Sequence, residues 1–276
     1  METIRKQMKI NNEEQFLTQS SEKLFRELYD YIDKFDKNWK ERIKPASNSS
    51  IESLKSVAEI QKWCSDFPES YKIFLETMGE SDGGLLSKSL VGTSNIMEII
   101  DLYEEFHKFY PNVFDVPYFT FFQKEMGEEL AFDLSAVGKS NILETDCGEV
   151  INVYSENFEK LLFQSAFNDF ERFRTYIELS GSLNELKKKI CNLENGELFD
   201  IMEEIGVQYG LKKVWFSDKK HYIAIGEETG LYMERETGMH GFVTSNNTKL
   251  AKKLAKELTK HIGVSIYDRF RKRDVL

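Results

Sequence analysis

The chain of 276 residues is 41% hydrophobic and contains 21 Phe, 12 Tyr and only 4 Pro, which predicts a globular protein with one large core or two smaller ones. It has no run of about eighteen apolar residues, which excludes a membrane-spanning helix, and its first residues lack the apolar segment of a signal peptide. We therefore expect a cytoplasmic protein. The three cysteines are widely spaced without a CxxC pair, which argues against a disulfide framework or a cysteine zinc site.

The net charge of −10 is unevenly distributed along the chain. Residues 45–180 contain 10 Lys and Arg against 24 Asp and Glu, whereas residues 1–44 and 181–276 carry slight positive charge. An acidic surface repels nucleic acid and anionic lipid headgroups and attracts basic proteins. The same distribution is also typical of an ordinary soluble surface.

Helices are predicted for the first part of the chain. Apolar residues recur at spacings of three and four from Ser20 or Ser21 to Ile43, which predicts one long helix. The polar run Pro45–Ser50 is predicted to be a loop whose last serine caps a second helix, Ile51–Cys64. A third helix, Glu69–Met78, begins after a proline, whose fixed φ suits a helix start.

A glycine-rich turn, Gly79–Gly84, ends the third helix and introduces the predicted strands. Leu85–Val91 is predicted as a short strand, and Asn95 as the cap of a helix that continues to Phe109. Alternating and aromatic-rich segments predict a meander of four further strands: Tyr118–Phe122, Glu129–Asp133, Asn141–Glu144 and Val150–Tyr154. Ser155 is then the predicted N-cap of a helix that runs to about Leu179.

The segment Phe67–Leu75 carries a resemblance to a known family. Its order of apolar residue, Pro, any residue, Ser, Tyr, Lys, any residue and apolar pair, followed by a glycine-rich turn, resembles the opening of the SUKH superfamily. That family is known mainly as bacterial immunity proteins and as a eukaryotic cell-wall regulator. In this chain Phe67 stands where Leu is commoner in the family, and Glu80–Asp82 lengthen the turn.

The meander strengthens the same resemblance. The aromatic strand Phe119–Phe122, Gly127, the strand ending at Asp133, and Ser155 with Phe158 occur at the family's usual distances. The likeness covers roughly Ile51–Tyr176, and it implies an α+β fold in which a mixed sheet carries helices. The family's motifs are structural, so the resemblance implies fold more directly than activity.

A domain boundary is predicted at Ser180-Gly181-Ser182, because small flexible residues coincide there with the change in charge balance. Three parts are therefore predicted: an N-terminal helical extension at 1–44, a SUKH-like domain at 45–180 and a small C-terminal α+β domain at 181–276. In the last part the patterns predict helices at Leu183–Leu193, Leu198–Tyr209 and Leu250–Ile262, and strands at Val214–Phe216, Tyr222–Ile225, Leu231–Met233 and Phe242–Val243.

Signatures of catalysis and metal binding are scarce in the sequence. Its four histidines, at 107, 221, 240 and 261, share no metal-ligand spacing, and no GxGxxG, Walker loop, GxSxG or HExxH is present. Cys147 is flanked by Asp146 and Glu149, whose charges would raise the pKa of a nucleophilic thiol. We predict no catalytic residue, no cofactor and no metal site.

Two basic runs, Lys187–Lys189 and Arg269–Arg273, could contact phosphate. A solvated helix face and a frayed terminus are the favoured explanations of the two runs. The acidic middle of the chain argues against tight nucleic-acid binding, so neither nucleic acid nor membrane is a predicted partner.

Function is therefore sought in protein binding. The resemblance implies an immunity protein that binds and blocks a bacterial polymorphic or contact-dependent toxin, and in that family many such toxins are nucleases with basic clefts. A regulatory scaffold of the same superfamily, or an enzyme with an unrecognised site, are the alternatives. Recognition usually lies on loops held by a rigid sheet, so the candidate contacts for a basic partner are six acidic residues of the glycine turn and the hairpin loops: Glu80, Asp82, Glu128, Glu129, Asp146 and Glu149.

Overall fold

The computed structural model describes residues 20–109, 117–135, 141–146, 148–170, 175–182, 197–235 and 238–267. The chain forms two compact units and passes from the first to the second between Phe170 and Glu171. Each unit combines α-helices with antiparallel β-sheet, which confirms the predicted α+β class.

The first unit contains six α-helices and one turn of 3-10 helix within the described residues. The helices are α1 (Ser21–Asp33), α2 (Trp39–Arg42), α3 (Asn48–Val57), the 3-10 turn (Ile60–Lys62), α4 (Glu69–Met78), α5 (Ile96–Phe109) and α6 (Phe158–Phe170). Its strands are β1 (Ile43–Lys44), β2 (Ser81–Asp82), β3 (Gly92–Thr93), β4 (Tyr118–Lys124), β5 (Glu129–Asp133), β6 (Ile142–Asp146) and β7 (Glu149–Ser155). β1 pairs with β2, and the other five strands form one sheet in the order β3-β4-β5-β6-β7.

The second unit has one six-stranded sheet with two described helices on one face. Its elements are β8 (Thr175–Ser182), α7 (Glu197–Gln208), β9 (Lys212–Lys213), β10 (His221–Ile225), β11 (Thr229–Arg235), β12 (Gly238–Ser245), α8 (Thr248–Ile262) and β13 (Ser265–Tyr267). The strand order is β13-β8-β12-β11-β10-β9. Alternate residues of the central strands pack against the apolar stripes of α7 and α8, as the buried cluster that includes Met202, Leu231, Met233 and Leu254 shows.

Tyr71 is the centre of the first unit's core. It lies on α4, is fully buried, and its ring centroid is 5.2 to 6.0 Å from six other aromatic rings. Those rings come from the chain before α4, from α4 itself, from β4 and β5, and from α6: Phe67, Phe74, Phe119, Phe121, Phe132 and Phe158. Aromatic pairs at such distances stabilise beyond their buried area, so this cluster fixes α4 and α6 on one face of the sheet.

The first helix is shorter than predicted. α1 ends at Asp33 rather than continuing to Ile43. A turn follows in which the carboxylate of Asp36 accepts hydrogen bonds from the backbone N–H of Asn38 (3.1 Å) and from Arg42 (2.6 Å). The turn brings Trp39 into the interior, where its indole N–H donates to the carbonyl of Asp82 at 3.1 Å. α1 packs against α4 and α6 as part of the first unit, so residues 20–44 are not a separate extension.

Several helix ends also differ from the predictions. Ser47, not Ser50, caps α3 and accepts from the Ser50 N–H at 3.1 Å, and α3 ends at Val57. Ser155 is the last residue of β7, and the Asn157 side chain instead accepts from the Lys160 N–H at the start of α6. The predicted helix Glu69–Met78 and the predicted cap Asn95, whose side chain accepts from the Met97 N–H at 2.8 Å, are confirmed.

The strands of the meander are confirmed, but the predicted mixed sheet is wrong for the described residues, because every described strand pair is antiparallel. Leu85–Val91 and Val214–Phe216 are turns rather than strands. β4 contains a bulge at Phe121, and β7 is irregular at two positions opposite β6. The bulge in β4 places the neighbouring residues Phe121 and Phe122 on one face, and all residues of this strand up to Phe122 are buried because both faces of the sheet are covered there.

The helix predicted to reach Leu179 ends at Phe170, and Ser180-Gly181-Ser182 is not a linker. These three residues end β8, which pairs with β12 on one side and with β13 on the other. Ile177 and Leu179 are buried while their neighbours are partly exposed, a period of two that belongs to a strand. The division between the units therefore lies about ten residues before the predicted one. The predicted helix Leu183–Leu193 lies outside the described residues.

Two buried tyrosines provide a matched test of this core. Among the described residues the hydroxyl of Tyr71 has no hydrogen-bond partner, whereas the hydroxyl of Tyr103 accepts from the Thr120 N–H at 2.8 Å. A buried polar group without a partner contributes nothing to offset its desolvation, so we expect Tyr71→Phe to leave the free energy of unfolding unchanged or raise it, and Tyr103→Phe to lower it by about 1–3 kcal/mol. Urea denaturation of both variants measures this. Equal destabilisation by the two changes would contradict it.

Candidate functional site

Asp82, one of the predicted contacts, is a buried structural residue. It is 4% exposed, and its carboxylate accepts five hydrogen bonds of 2.7 to 3.1 Å from the turn that follows and from Ser94. Gly83 adopts a positive φ of 65° directly beside the Trp39 indole, so a side chain there would collide with the ring. The turn is therefore built around Asp82, and as an exposed contact this prediction is wrong.

Glu129 is also buried, at 5% exposure, and its carboxylate accepts from the Thr145 hydroxyl at 2.9 Å. Burial raises the pKa of this carboxyl, the Thr145 hydrogen bond opposes that, and the charges of Asp146 and Glu128 raise it further. Because it is enclosed, Glu129 is not an exposed contact, which corrects a second prediction.

Of the other predicted residues, Glu80, Asp146 and Glu149 are exposed and Glu128 is partly exposed. The register brings Glu128, Asp146 and Glu149 to one end of the five-stranded sheet. Asp146 and Glu149 are directly paired at the β6–β7 turn, and Glu128 precedes the residue of β5 that pairs with Thr145. Like charges directly opposite each other destabilise a sheet, so this pairing has a cost that the fold accepts. We call Glu128, Asp146 and Glu149 the acidic end. Glu80 is exposed too, but it lies in the glycine turn and no hydrogen bond or ion pair of the described residues links it to the acidic end.

The nearby lysine does not neutralise this end. Lys124, the last residue of β4, forms an ion pair with the buried carboxylate of Glu144, which also accepts from the Asn152 amide at 2.7 Å. Its ammonium group lies 5.4 Å from the centre of the Tyr154 ring. The lysine is thus held by partners on β6 and β7. Among the described residues no ion pair joins it to the acidic end, where Asp146 and Glu149 are exposed and Glu128 is partly exposed.

Exposed apolar residues accompany the acidic end, and the sequence reading did not find them. Met126, in the β4–β5 turn, is 88% exposed, and Val91 is 56% exposed with a positive φ of 53°, unusual for a β-branched residue. The Val91 carbonyl accepts from the Glu125 N–H at 3.0 Å, which places it beside the same turn. No motif marks such residues, because their exposure depends on the turn geometry.

Strand β7 extends this surface along the edge of the sheet. Among the described strands it pairs with β6 alone, and it exposes Val150, Ile151 and Val153 by about half. Exposed apolar edge strands readily pair with other chains, and natural proteins usually protect them with charges or bulges. Here the protection is two irregular positions and one charged residue, Glu149.

The second unit contains a buried ionic cluster that sequence reasoning missed. His221 is 1% exposed, and its Nδ1 lies 3.1 Å from the Asp218 carboxylate while its Nε2 lies 3.6 Å from Glu234. Lys220 lies 3.8 Å from Glu234, and the Tyr232 hydroxyl donates to Glu234 at 3.2 Å. In the sequence, only the Asp218–His221 pair of this cluster could have been predicted, because its two residues are three positions apart. Both ring nitrogens are engaged, so the cluster holds a charge rather than offering a base to a substrate.

The remaining histidines are also engaged by neighbours. The Nε2 of His107 lies 2.7 Å from the Val57 carbonyl, His240 lies 3.0 Å from the Ser180 hydroxyl, and His261 pairs with Glu257 at 3.3 Å. Cys147 and the basic runs at 187–189 and 269–273 lie outside the described residues.

The described residues indicate neither a metal site nor a membrane-spanning helix, and comparisons with known proteins indicate no family. Among the described residues, no group of three or more His, Cys, Asp or Glu side chains is arranged to hold a metal ion. None of the described helices is long and apolar enough to cross a membrane. Comparisons of the chain with protein-family models, curated proteins and solved structures found no match.

The structural role of Asp82 can be separated from charge alone by comparing it with Glu80. Asp82→Asn replaces one accepting oxygen by a donor amide facing other donors, so we expect the free energy of unfolding to fall by about 2–4 kcal/mol. Glu80→Gln removes the same charge from the same turn at an exposed site and should change it by less than about 0.5 kcal/mol. Urea denaturation compares the two. Similar effects would show that Asp82 does not organise the turn.

The His221 cluster predicts a pH dependence of the second unit. Burial alone lowers the pKa of His221, but the hydrogen bonds and charges of Asp218 and Glu234 outweigh it and raise the pKa to about 9. Because a histidine in the unfolded chain has a pKa of about 6.5, the charged His221 stabilises the folded second unit fully below that pH. This stabilisation is lost as the pH rises to about 9. Thermal melts followed by the NMR methyl signals of the buried Met233 and Met239 should show a falling midpoint over this range.

The variant His221→Gln should show little pH dependence in the same window, whereas His261→Gln, at an exposed histidine, should behave like the original protein. A melting midpoint that is constant or rises between pH 6.5 and 9 in the original protein would contradict the charge assigned to His221.

Proposed function

We propose that this chain is an immunity protein that acts inside the producing cell by binding a basic bacterial toxin of the polymorphic or contact-dependent kind and blocking it. The observation that carries the proposal is the acidic end, where Glu128, Asp146 and Glu149 project from two turns of one rigid sheet. The segment resemblance to the SUKH superfamily supplies the class of partner, and the surface supplies a chemical reason for the binding.

Charge gives the acidic end its selectivity. A nuclease toxin needs a basic cleft to hold phosphate groups, and carboxylates placed at the tips of two neighbouring turns can occupy such a cleft in place of phosphates. Long-range attraction raises the association rate, and the match of charges excludes acidic partners. The surface lies in the most acidic part of the chain, which strengthens this attraction.

Apolar contacts supply the affinity that charge alone does not. Met126 is the most exposed apolar side chain of the described residues and stands in the same turn as Glu128. Methionine is enriched at protein interfaces, and interface centres are typically apolar with a polar rim. Val91 and the exposed β7 residues extend the apolar area to either side, so a partner can bury apolar surface beside the carboxylates.

A SUKH-like arrangement is part of the proposal. Its support is the agreement of three features with the resemblance: α4 begins directly after Pro68, Tyr71 is the centre of the core, and the meander is followed by a helix that starts with the buried Phe158. The antiparallel order of the described strands differs from the mixed sheet expected for the family.

The proposed mechanism is occlusion without turnover, and it predicts stoichiometric protection. We expect the purified chain to inhibit the toxin encoded beside its gene up to a fixed molar ratio, and toxin activity to return when the complex is dissociated. Inactivation of a large toxin excess that grows with time would mean catalysis. A gene with no toxin beside it, and a chain that binds only cellular proteins, would favour the regulatory scaffold.

The surface itself is tested in the same assay. The triple variant Glu128→Lys, Asp146→Lys and Glu149→Lys should slow association with the toxin by roughly tenfold or more at low salt and flatten its salt dependence. The matched control reverses three exposed acids of α5, Glu98→Lys, Asp101→Lys and Glu105→Lys, which changes the net charge of the same unit equally. Equal slowing by both triple variants would place the interface elsewhere.

A further inference from the structure

Among the described residues of the second unit, α7 and α8 cover one face of the sheet and lie side by side. The two helices run in opposite directions. α7 ends beside the last residues of β10, since Gly210 packs against Gly226, and α8 begins directly after the last residue of β12. Those strand ends lie at the same end of the sheet, because Gly230 pairs with Ile225 and with Thr244.

The outward face of α8 is a row of lysines. Ala251, Leu254, Ala255, Leu258 and Ile262 form its buried stripe. Lys249, Lys253, Lys256 and Lys260 lie on the opposite side and are exposed. Their helical spacing of four, three and four aligns them over about 16 Å.

The outward face of α7 carries the opposite charge. Leu198, Met202 and Ile205 point into the core. Asp200, Glu203 and Glu204 are exposed on the other side, together with Val207, which is 64% exposed. Among the described residues no ion pair joins this acidic row to the lysine row, although the Lys253 ammonium lies 5.7 Å from the centre of the Tyr209 ring. The charges of both rows are therefore available to an external partner.

We propose that this two-helix layer is the interface of a weak homodimer, in which the acidic row of each copy faces the lysine row of the other. A symmetric dimer brings the same patch of both copies together, so a patch that is acidic on one half and basic on the other complements itself. The acidic row of one copy faces the lysine row of the other only if the two-fold axis of the dimer lies parallel to the helices. A two-fold axis perpendicular to the helices in the plane of the interface would instead place acidic row on acidic row and lysine row on lysine row.

A second copy fits this layer better than nucleic acid does. A polyanion would be attracted to the lysine row but repelled by the acidic row beside it. A second copy satisfies both rows at once, and its contacts can also cover the exposed Val207. The inference is independent of the proposed toxin binding, which concerns the first unit.

The expected dimer is weak and sensitive to salt. Two helices of about 10 Å diameter and this length cover roughly 400 Å² in each copy. The total of about 800 Å² lies below the usual size of stable interfaces. Exposed ion pairs contribute little individually and are screened by salt, so dissociation constants in the range of about 10–100 µM at low salt are expected.

Sedimentation equilibrium of the full chain tests the proposal with two charge-reversed variants. The first variant, called the all-acidic layer, has the substitutions Lys253→Glu, Lys256→Glu and Lys260→Glu. The second variant, called the all-basic layer, has the substitutions Asp200→Lys, Glu203→Lys and Glu204→Lys. Each variant alone should lose at least about tenfold in self-association, because both contacts become repulsive. An equimolar mixture should restore dimers, because every contact in the mixed pair is attractive again.

The α5 triple variant described above controls for net charge. It has the same net charge as the all-basic layer but an unchanged helix layer, so it should dimerise at least as well as the original chain. Circular dichroism confirms that the variants are folded. A monomeric original chain at low salt, variants that dimerise normally, or a mixture that stays monomeric would each overturn the proposal. So would an RNA oligonucleotide that binds the lysine row of a chain that does not dimerise.

Discussion

The packing of one tyrosine determines how the first unit is assembled. Tyr71 lies on α4 and contacts rings contributed by two strands and by α6, so it joins elements that are far apart in the sequence. With aromatic side chains on every side of it, α4 and α6 have little freedom to shift relative to the sheet. The turns that carry the acidic end therefore project from a rigid platform, which is the arrangement that binding loops require.

The acidic residues of the first unit fall into two groups with different roles. Carboxylates inside the protein need donors: Asp82 has five, and Glu144 has Lys124 and Asn152. Glu129 accepts from the Thr145 hydroxyl, but burial outweighs this hydrogen bond and raises the pKa of the carboxyl. The carboxylates of the acidic end have like-charged neighbours instead. A partner with positive charge would relieve that repulsion, which is a thermodynamic reason for binding at this end.

Much of the secondary structure could be predicted from local patterns, because a helix stripe or a strand alternation reflects burial directly. The helix Glu69–Met78 and the four meander strands are examples. The predicted elements were wrong where a contact distant in the sequence determines the secondary structure. Trp39 ends the first helical segment because its indole reaches Asp82, and Thr175–Ser182 forms a strand because β12 and β13 are available on both sides. Neither partner can be identified from the neighbouring residues.

The candidate site was predicted only in part, again because local patterns do not show which residues the fold buries. Turn residues with charged side chains are expected to be exposed; Glu128 is only partly exposed, whereas Asp146 and Glu149 follow that rule. Asp82 does not, because short turns that place several N–H groups around one point use a carboxylate to satisfy them. Met126 and Val91 could not be predicted at all, since nothing in an apolar residue's own sequence context states that the fold will leave it exposed.

In the proposed complex the acidic end of the sheet, together with β7, binds a basic toxin. Hydrogen exchange of the chain, measured alone and in complex with the toxin encoded beside its gene, tests this most directly because it reports the position of contact without any substitution. We expect slower exchange in the complex for the β4–β5 turn, the β6–β7 turn and the amides of Val150–Val153. Protection confined to other parts of the chain, with unchanged exchange in both turns, would contradict it.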